Sequence, residues 1–166
     1  LSELGLLMIR EGHLDAAERA LAEALARADE LADRGAAALA RARLGRARAL
    51  AGDLGAAQRL LRRAVEDARD SHDRLAEIAA RRMLGALLCA CGDEEPGLHM
   101  LHAALEAAMA CAFLQELPAI HEALASASLR RAVRLRTSAG TIVDRRDMGL
   151  ARAHVERGGR HRVADR

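Results

Sequence analysis

Residues 41–57, RARLGRARALAGDLGAA, decide the fold of this protein, because their pattern stands twice more in the chain. The earlier copy is LSELGLLMIREGHLDAA at 1–17, and the later copy is RRMLGALLCACGDEEPG at 81–97. The copies are evenly spaced, and each holds a Leu-Gly pair with a second glycine farther along. Self-similarity at a fixed period is the sequence signature of a repeat architecture, so the three copies predict stacked repeats.

Further positions recur with the spacing that separates Leu4 from Leu44 and Leu44 from Leu84. We call this spacing the repeat register. Leu21, Leu61 and Leu101 follow it, and Leu124-Ala125 begins a partial fourth copy, after which the pattern stops. Small side chains let two helix backbones approach closely, and glycine also ends helices. The recurring small positions, which we predict to be structural, are Gly5, Gly12, Ala17, Ala24, Gly45, Gly52, Ala57, Ala64, Gly85, Gly92, Gly97 and Ala104.

The composition predicts an all-α protein. Of the 166 residues, 40 are alanine and 27 are leucine, both strong helix formers, whereas Trp and Tyr are absent and Phe113 is the only aromatic residue. Strands favour β-branched and aromatic side chains, which this chain hardly uses, so sheet-rich folds are excluded. The chain has two prolines, and helices can therefore run until a glycine or a polar cluster ends them.

The second copy indicates how one repeat is built. Residues 36–51 have helical apolar spacing, Gly52 ends that helix, and Asp53 stands where an N-cap is needed for a second helix over 54–71. Asp93 is predicted to cap the corresponding helix of the third copy in the same way. A single helix pair cannot bury its apolar stripe alone, so neighbouring pairs are expected to stack around a continuous core.

The spacing of Leu-Gly, Gly, Ala, Leu and Ala resembles the tetratricopeptide repeat in its longer variant, whose second helix is extended. The resemblance covers about residues 1–129, although the aromatic residues and the closing proline of the family motif are absent. It implies an α-solenoid, a right-handed superhelix of antiparallel pairs, with repeats at 1–37, 38–77 and 78–117 and a capping helix at 118–135. The alternative is an ordinary helical bundle in which the repeat register is a coincidence.

The end of the chain differs in charge from the rest. Residues 130–166 hold 11 arginines against four acidic residues, a net charge of +7, which leaves −5 for residues 1–129. Residues 136–166 lack apolar spacing and are predicted to be a poorly ordered basic tail. Its charge could attract nucleic acid, but it carries no aromatic residue for stacking on bases and no helix-turn-helix, so we expect no nucleic-acid binding through this segment.

The sequence favours neither catalysis nor metal binding. Cys89, Cys91, His99, His102 and Cys111 lie close in sequence, yet residues two apart on a helix point in nearly opposite directions, so we predict no metal, no cofactor and no enzyme activity. A phosphate-binding loop that needs lysine is excluded, because all 26 basic residues are arginine. An odd number of cysteines favours a cytoplasmic protein, and no apolar run is long enough to span a membrane.

The resemblance also implies where a partner would bind. First helices line the concave groove of a tetratricopeptide stack, and Arg10, Arg46 and Arg82 lie on these helices. The spacing between successive arginines is one helical turn shorter than the spacing of the repeats. The three arginines would therefore form a diagonal basic stripe across the groove. Such a stripe would suit an acidic peptide or a terminal carboxylate, which arginine can hold through two hydrogen bonds. The predicted groove residues are Arg10, Ala42, Arg46, Ala49, Arg82, Ala86 and Cys89, with Ser2, Leu6, Ile9 and Ala90 beside them.

Two functions follow as hypotheses. The first is a protein-protein interaction module that binds a partner protein or peptide in this groove. The second is an effector-sensing repeat region of a bacterial transcriptional regulator, since arrays of this period and composition are similar to those of antibiotic-regulatory and LuxR-type activators. The apolar start of the stack, at Leu1, Leu4 and Ile9, is expected to be covered by a further repeat or by a second copy in a homodimer.

Overall fold

The structure, a computed structural model, describes residues 1–137, and it contains no β-strand within them. The all-α prediction is confirmed. The chain divides into two units, Leu1–Ala127 and Ser128–Arg166, and the described part of the second, 128–137, is helical. The elements are α1 (Ser2–Arg10), α2 (Leu14–Glu30), α3 (Arg34–Leu50), α4 (Leu54–Asp70), α5 (Arg74–Cys91), α6 (Glu94–Ala110), a short 3₁₀-helix η1 (Leu114–Glu116) and α7 (117–137).

Three helix pairs, α1–α2, α3–α4 and α5–α6, follow one another, and η1 and the first part of α7 come after them. The predicted repeat boundaries at 37/38 and 77/78 lie inside α3 and α5, which begin at Arg34 and Arg74. The predicted capping helix at 118–135 lies within α7. Residues 138–166, which make up nearly all of the predicted tail, are outside the described part of the chain.

The turn inside each pair is made by a glycine in the left-handed region. Gly12, Gly52 and Gly92 have φ angles of 83°, 90° and 105°. At Gly52 the amide bonds back to the Ala49 carbonyl at 3.2 Å, and the next amide, that of Asp53, reaches the Arg48 carbonyl at 3.0 Å. This is the Schellman pattern, which closes the carbonyls at a helix C-terminus and favours glycine for its backbone angle.

The turns between pairs have the same form without glycine. Ala32, His72 and Ala112 have φ angles of 53°, 56° and 56°, and the hydrogen bonds repeat as well: the Asp33 amide bonds to the Ala28 carbonyl at 2.9 Å. Along the chain, the left-handed turn positions are therefore evenly spaced and alternate between glycine and a residue with a side chain. Because glycine occupies only every second turn, the sequence pattern repeats once per helix pair and not once per helix.

Aspartates begin the middle helices. The side chains of Asp33, Asp53 and Asp73 accept hydrogen bonds of 2.9–3.0 Å from the backbone amides three residues later, at the N-termini of α3, α4 and α5. The prediction that Asp93 caps α6 in this way is wrong, because its side chain makes no such bond. The residue three positions after it is Pro96, which has no amide hydrogen to donate.

Glycine and leucine meet where the two helices of a pair cross. A Cβ atom added to Gly5 or Gly45 would lie 2.5 or 2.8 Å from the Cγ atom of the leucine opposite, Leu21 or Leu61. Gly85 faces Leu101 at 2.8 Å in the third pair. The recurring positions within the helices are buried, apart from the half-buried Ala24, whereas the three turn glycines are exposed.

Packing proceeds from each pair to the next. α3 contacts both α1 and α5, whereas α2, α4 and α6 make no comparable contacts with one another, so the odd-numbered helices form the inner layer of the stack. Ala64 of α4 shares a buried cluster with Leu84 and Leu87 of α5, the first helix of the next pair. The buried clusters succeed one another along Leu1–Ala127, which is a solenoid-like arrangement.

Candidate functional site

The predicted groove residues divide into exposed and interior positions. Arg10 is exposed on α1, while Arg46 and Ala49 on α3 and Arg82 and Ala86 on α5 are partly exposed. All five therefore reach the surface of Leu1–Ala127. Of the residues beside them, Ser2 and Leu6 are partly exposed and Ala90 is exposed, but Ile9 is buried.

Ala42 and Cys89, predicted as groove residues, are instead interior residues, with relative exposures of 0% and 1%. Ala42 belongs to the largest buried cluster, and Cys89 packs with Leu101 and Ala127. The cause is the double packing of α3 and α5, each of which contacts its own pair partner and also the neighbouring pairs. A helix covered on two sides has a narrower exposed stripe than the periodicity alone indicates.

Arg46 is the most unusual arginine on this surface. It is partly buried, and no hydrogen bond or ion pair joins its side chain to another of residues 1–137. Burial lowers the pKa of its guanidinium, the positive charge of Arg82 lowers it further, and the negative charge of Glu122 raises it. Two of the three stripe arginines are thus close enough to repel each other.

Arg82 differs from Arg46 because it has a carboxylate partner. Its Nε atom donates a hydrogen bond of 3.2 Å to Oε2 of Glu116, and the two side chains are only 15% and 19% exposed. Glu116 lies in η1, whose three residues are all outside the core. The charge of Arg82 is therefore largely balanced inside the protein before any ligand arrives.

Glu122 adds a second negative charge to the same region. It lies on α7 within the unit Leu1–Ala127, and it follows Ala42 and Arg82 in the repeat register. Its side chain is exposed, without an ion pair in the described part of the chain. The register could have revealed it, but Glu116 belongs to an aperiodic segment that carries no such signal. We call Arg46, Arg82, Glu116 and Glu122 the arginine site.

Other arginines of the inner layer are committed to structural contacts. Arg43 is only 8% exposed, and it bonds to Glu3 at 2.6 Å and to the Ser2 hydroxyl at 2.7 Å, which joins α3 to α1. Arg48 pairs with Glu18 of α2 at 3.0 Å. These pairs hold neighbouring helices together, so an abundance of arginine does not by itself explain why Arg46 lacks a partner.

A buried carboxylate, which sequence analysis missed, lies between α4 and α5. Glu77 is 3% exposed and is approached by Arg81 at 2.7 Å, Arg74 at 2.9 Å and Arg69 at 3.9 Å. Position 77 falls in the first turn of α5. Arg74 and Arg81 lie on α5 with it and neutralise its charge, and Arg69 of α4 connects the two pairs.

A cleft of about 440 Å³ opens beside the ends of α2 and α4 and the start of α3. Arg41 lines it and forms ion pairs with Asp67 and Asp29, while Arg63 also pairs with Asp67, at 3.0 Å. The charges that line this cleft mostly satisfy one another, in contrast to Arg46.

The cysteine and histidine residues considered in the sequence remain dispersed. Cys89 is buried, Cys91 and Cys111 are exposed, and none of the three forms a disulfide within residues 1–137. Within residues 1–137, no three side chains of His, Cys, Asp or Glu form a group that could hold a metal ion. The helices described here include none with the length and apolar character needed to cross a membrane.

The apolar start of the stack is partly exposed. Leu1, Leu4 and Leu7 are 44–47% exposed along one side of α1. Ile9, predicted to belong to this surface, is instead buried at 6% exposure with Leu21 and packs inward.

Comparison with models of known protein families and with curated proteins gave no match for this chain. The tetratricopeptide resemblance therefore stays a prediction that rests on spacing.

Proposed function

We propose that this protein is an interaction module that binds an acidic segment of a partner protein or peptide at the arginine site, with Arg46 as the anchor. One observation carries the proposal: Arg46 is a partly buried guanidinium without a hydrogen-bond or ion-pair partner among residues 1–137. Arg43 and Arg48 of α3 and Arg82 of α5 each have a carboxylate partner, whereas Arg10 of α1 is exposed to water and bears no cost of burial.

The physical reason lies in the reduced hydration of a partly buried charge that has no ion-pair partner. Removing a cation from water is unfavourable unless an anion or several hydrogen bonds replace the lost hydration. Burial and the neighbouring Arg82 both lower the pKa of Arg46, which expresses the same cost. A ligand carboxylate would compensate it, and the planar guanidinium can hold a carboxylate through two parallel hydrogen bonds.

The surroundings of Arg46 suit a polypeptide ligand. Ala49 lies one turn further along α3, and Ala86 lies one turn beyond Arg82 on α5; both are partly exposed. Alanine presents only a methyl group, so a ligand backbone can come close to both helices. The anchor is also held on rigid helices, which lowers the entropy lost when a ligand binds.

The test uses a random-peptide phage library as the probe, because the proposal names a ligand class. Peptides selected on the full chain should be enriched in Asp and Glu, and Arg46→Glu should weaken the best of them by about tenfold or more, as measured by calorimetry. The matched control is Arg62→Glu, since Arg62 is exposed on α4, outside the inner layer.

Circular dichroism of each variant would verify that it is folded. The proposal is contradicted if the library yields no binder, or if Arg46→Glu and Arg62→Glu bind the selected peptides equally well.

A further inference from the structure

The arginine site carries two positive and two negative charges, and only one of each forms an ion pair within it. Arg82 is hydrogen-bonded to Glu116 at 3.2 Å, so these two charges largely cancel. Arg46 and Glu122 have no ion-pair partner in the described part of the chain. A ligand therefore meets a cation and an anion that attract each other without forming an ion pair, and not the uniform basic stripe that the sequence predicts.

We propose that the ligand segment is bipolar: it places an acidic side chain on Arg46 and a basic side chain beside Glu122, while the Arg82–Glu116 pair stays intact between α5 and η1. This inference rests on the proposed function, since it names the ligand class of the same site. It assigns Glu122 as a specificity-determining residue that selects the charge of the ligand.

A uniformly acidic ligand fits the geometry less well. A second ligand carboxylate at Arg82 would share the guanidinium with Glu116, which already accepts the Nε hydrogen bond and is only 19% exposed. Two carboxylates beside one guanidinium repel each other, and displacing Glu116 instead would leave its charge poorly solvated. The paired state of Arg82 thus limits the acidic groups that this site can accept.

Glu122 has a second effect on the choice of ligand. Its negative charge is near enough to Arg46 to raise the pKa of that guanidinium, so it also repels an acidic group bound there. A basic side chain on the ligand removes this repulsion and gains an attraction of its own. Like-charge contacts of this kind exclude wrong partners at protein interfaces, whereas complementary pairs select the right ones.

The position of Glu122 agrees with such a role. It shares the repeat register of Arg82 and Ala42, which lie on the inner-layer helices α5 and α3, and unlike Ala42 its side chain is exposed. Its charge is held on a helix, near the buried Ile120 that packs with Ile78 of α5. The helix that carries Glu122 is therefore packed on α5, while its carboxylate is accessible to a ligand.

The experiment is a charge-swap selection with the same phage library. Wild-type protein should select peptides that combine one acidic and one basic residue at a constant spacing. Glu122→Arg should replace the basic residue of the consensus by an acidic one, and Arg46→Glu should replace the acidic residue by a basic one. Glu106→Arg, an exposed reversal on α6 outside the inner layer, is the control and should leave the consensus unchanged.

A second variant covers the case in which Glu122→Arg fails to fold. Glu122→Gln removes only the charge, and it should abolish the preference for a basic residue without creating a preference for an acidic one. For a peptide from the wild-type selection, affinity should fall by about fivefold to tenfold in Glu122→Gln, as expected for one interfacial charge pair.

The outcomes separate the two proposals. If wild type selects acidic peptides through Arg46 and neither Glu122 variant changes the consensus, the bipolar inference is wrong while the interaction module stands. If no peptide is selected, or if Arg46→Glu leaves both the consensus and the affinity unchanged, the proposed function itself is wrong.

Discussion

Gly45 of α3 lies so close to Leu61 of α4 that a Cβ atom on the glycine would come within 2.8 Å of the leucine Cγ. Leu61 is 1% exposed and cannot move aside into solvent. The missing side chain of one helix therefore creates the space for the leucine of the next. The same relationship joins Gly5 to Leu21 and Gly85 to Leu101.

Gly45→Ala should destabilise the protein, because the added methyl group overlaps Leu61. Overpacking of this kind costs about 1–3 kcal/mol of the free energy of unfolding. The matched control is Gly55→Ala in α4, where a Cβ atom would meet only Arg59 and Asp53 side chains at 3.6 Å or more. There the better helix propensity of alanine should add about 0.5–1 kcal/mol.

Urea denaturation followed by circular dichroism measures both effects through the transition midpoint. Equal shifts in the same direction for the two variants would contradict the close packing at Gly45.

The turns between the helix pairs predict a gain in stability. Ala32 and Ala112 have φ angles of 53° and 56°, which cost a residue with a side chain about 1–2 kcal/mol. Ala32→Gly and Ala112→Gly should each raise the free energy of unfolding by about 0.5–1 kcal/mol, after allowing for the greater entropy of glycine in the unfolded chain. His72→Gly should behave in the same way.

Gly52→Ala is the opposite test of the same geometry, since Gly52 has a φ angle of 90°. It should lower the free energy of unfolding by about 1 kcal/mol or more. Thermal denaturation would measure the series, and a loss of stability in Ala32→Gly would contradict the left-handed assignment of that turn.

These turns explain how much of the fold could be read from the sequence. Gly12, Gly52 and Gly92 identify half of the turns, because few other residues adopt their backbone angles easily. Ala32 and Ala112 could not be predicted as turn residues, because alanine is the commonest residue of the chain and usually favours helix. The period of a helix pair was therefore visible, while the half-period at which single helices follow one another was not.

The N-terminus of α6 gives a further prediction. Asp53 accepts a hydrogen bond from the Ala56 amide at 3.0 Å, so Asp53→Ala should cost about 1 kcal/mol. Asp93→Ala should cost much less, because Pro96 offers no amide hydrogen to Asp93. In a Pro96→Ala background the cost of Asp93→Ala should rise to about 1 kcal/mol, as a new cap becomes available.

A double-mutant cycle at Asp93 and Pro96, measured by urea denaturation, gives this coupling directly. Additive effects of the two substitutions would contradict the account.

The arginine site was only partly readable from the sequence. Arg46 and Arg82 could be assigned to the inner layer by register, but the burial of Ala42 and Cys89 depends on how closely successive pairs pack. Glu116 lies in a 3₁₀-helix without periodicity, so its bond to Arg82 follows only from the path of the chain after α6. Sequence periodicity predicts which face a residue occupies, but not which partner neutralises its charge.

The contrast between Arg46 and Arg82 predicts opposite effects on stability. Arg46→Leu removes an unpaired, partly buried cation that is repelled by Arg82, so the free energy of unfolding should change by less than about 0.5 kcal/mol or increase. Arg82→Leu leaves the carboxylate of Glu116 with 19% exposure and no cation, which should cost about 1–3 kcal/mol. Adding Glu116→Leu to Arg82→Leu should recover part of that loss, because neither charge is then left unpaired.

Urea denaturation at low and at high salt would measure all three variants. The loss of stability in Arg82→Leu should shrink little at high salt, because the pair is largely buried. A larger penalty for Arg46→Leu than for Arg82→Leu would show that Arg46 stabilises the fold, and Arg46 would then no longer be a cation held available for a ligand.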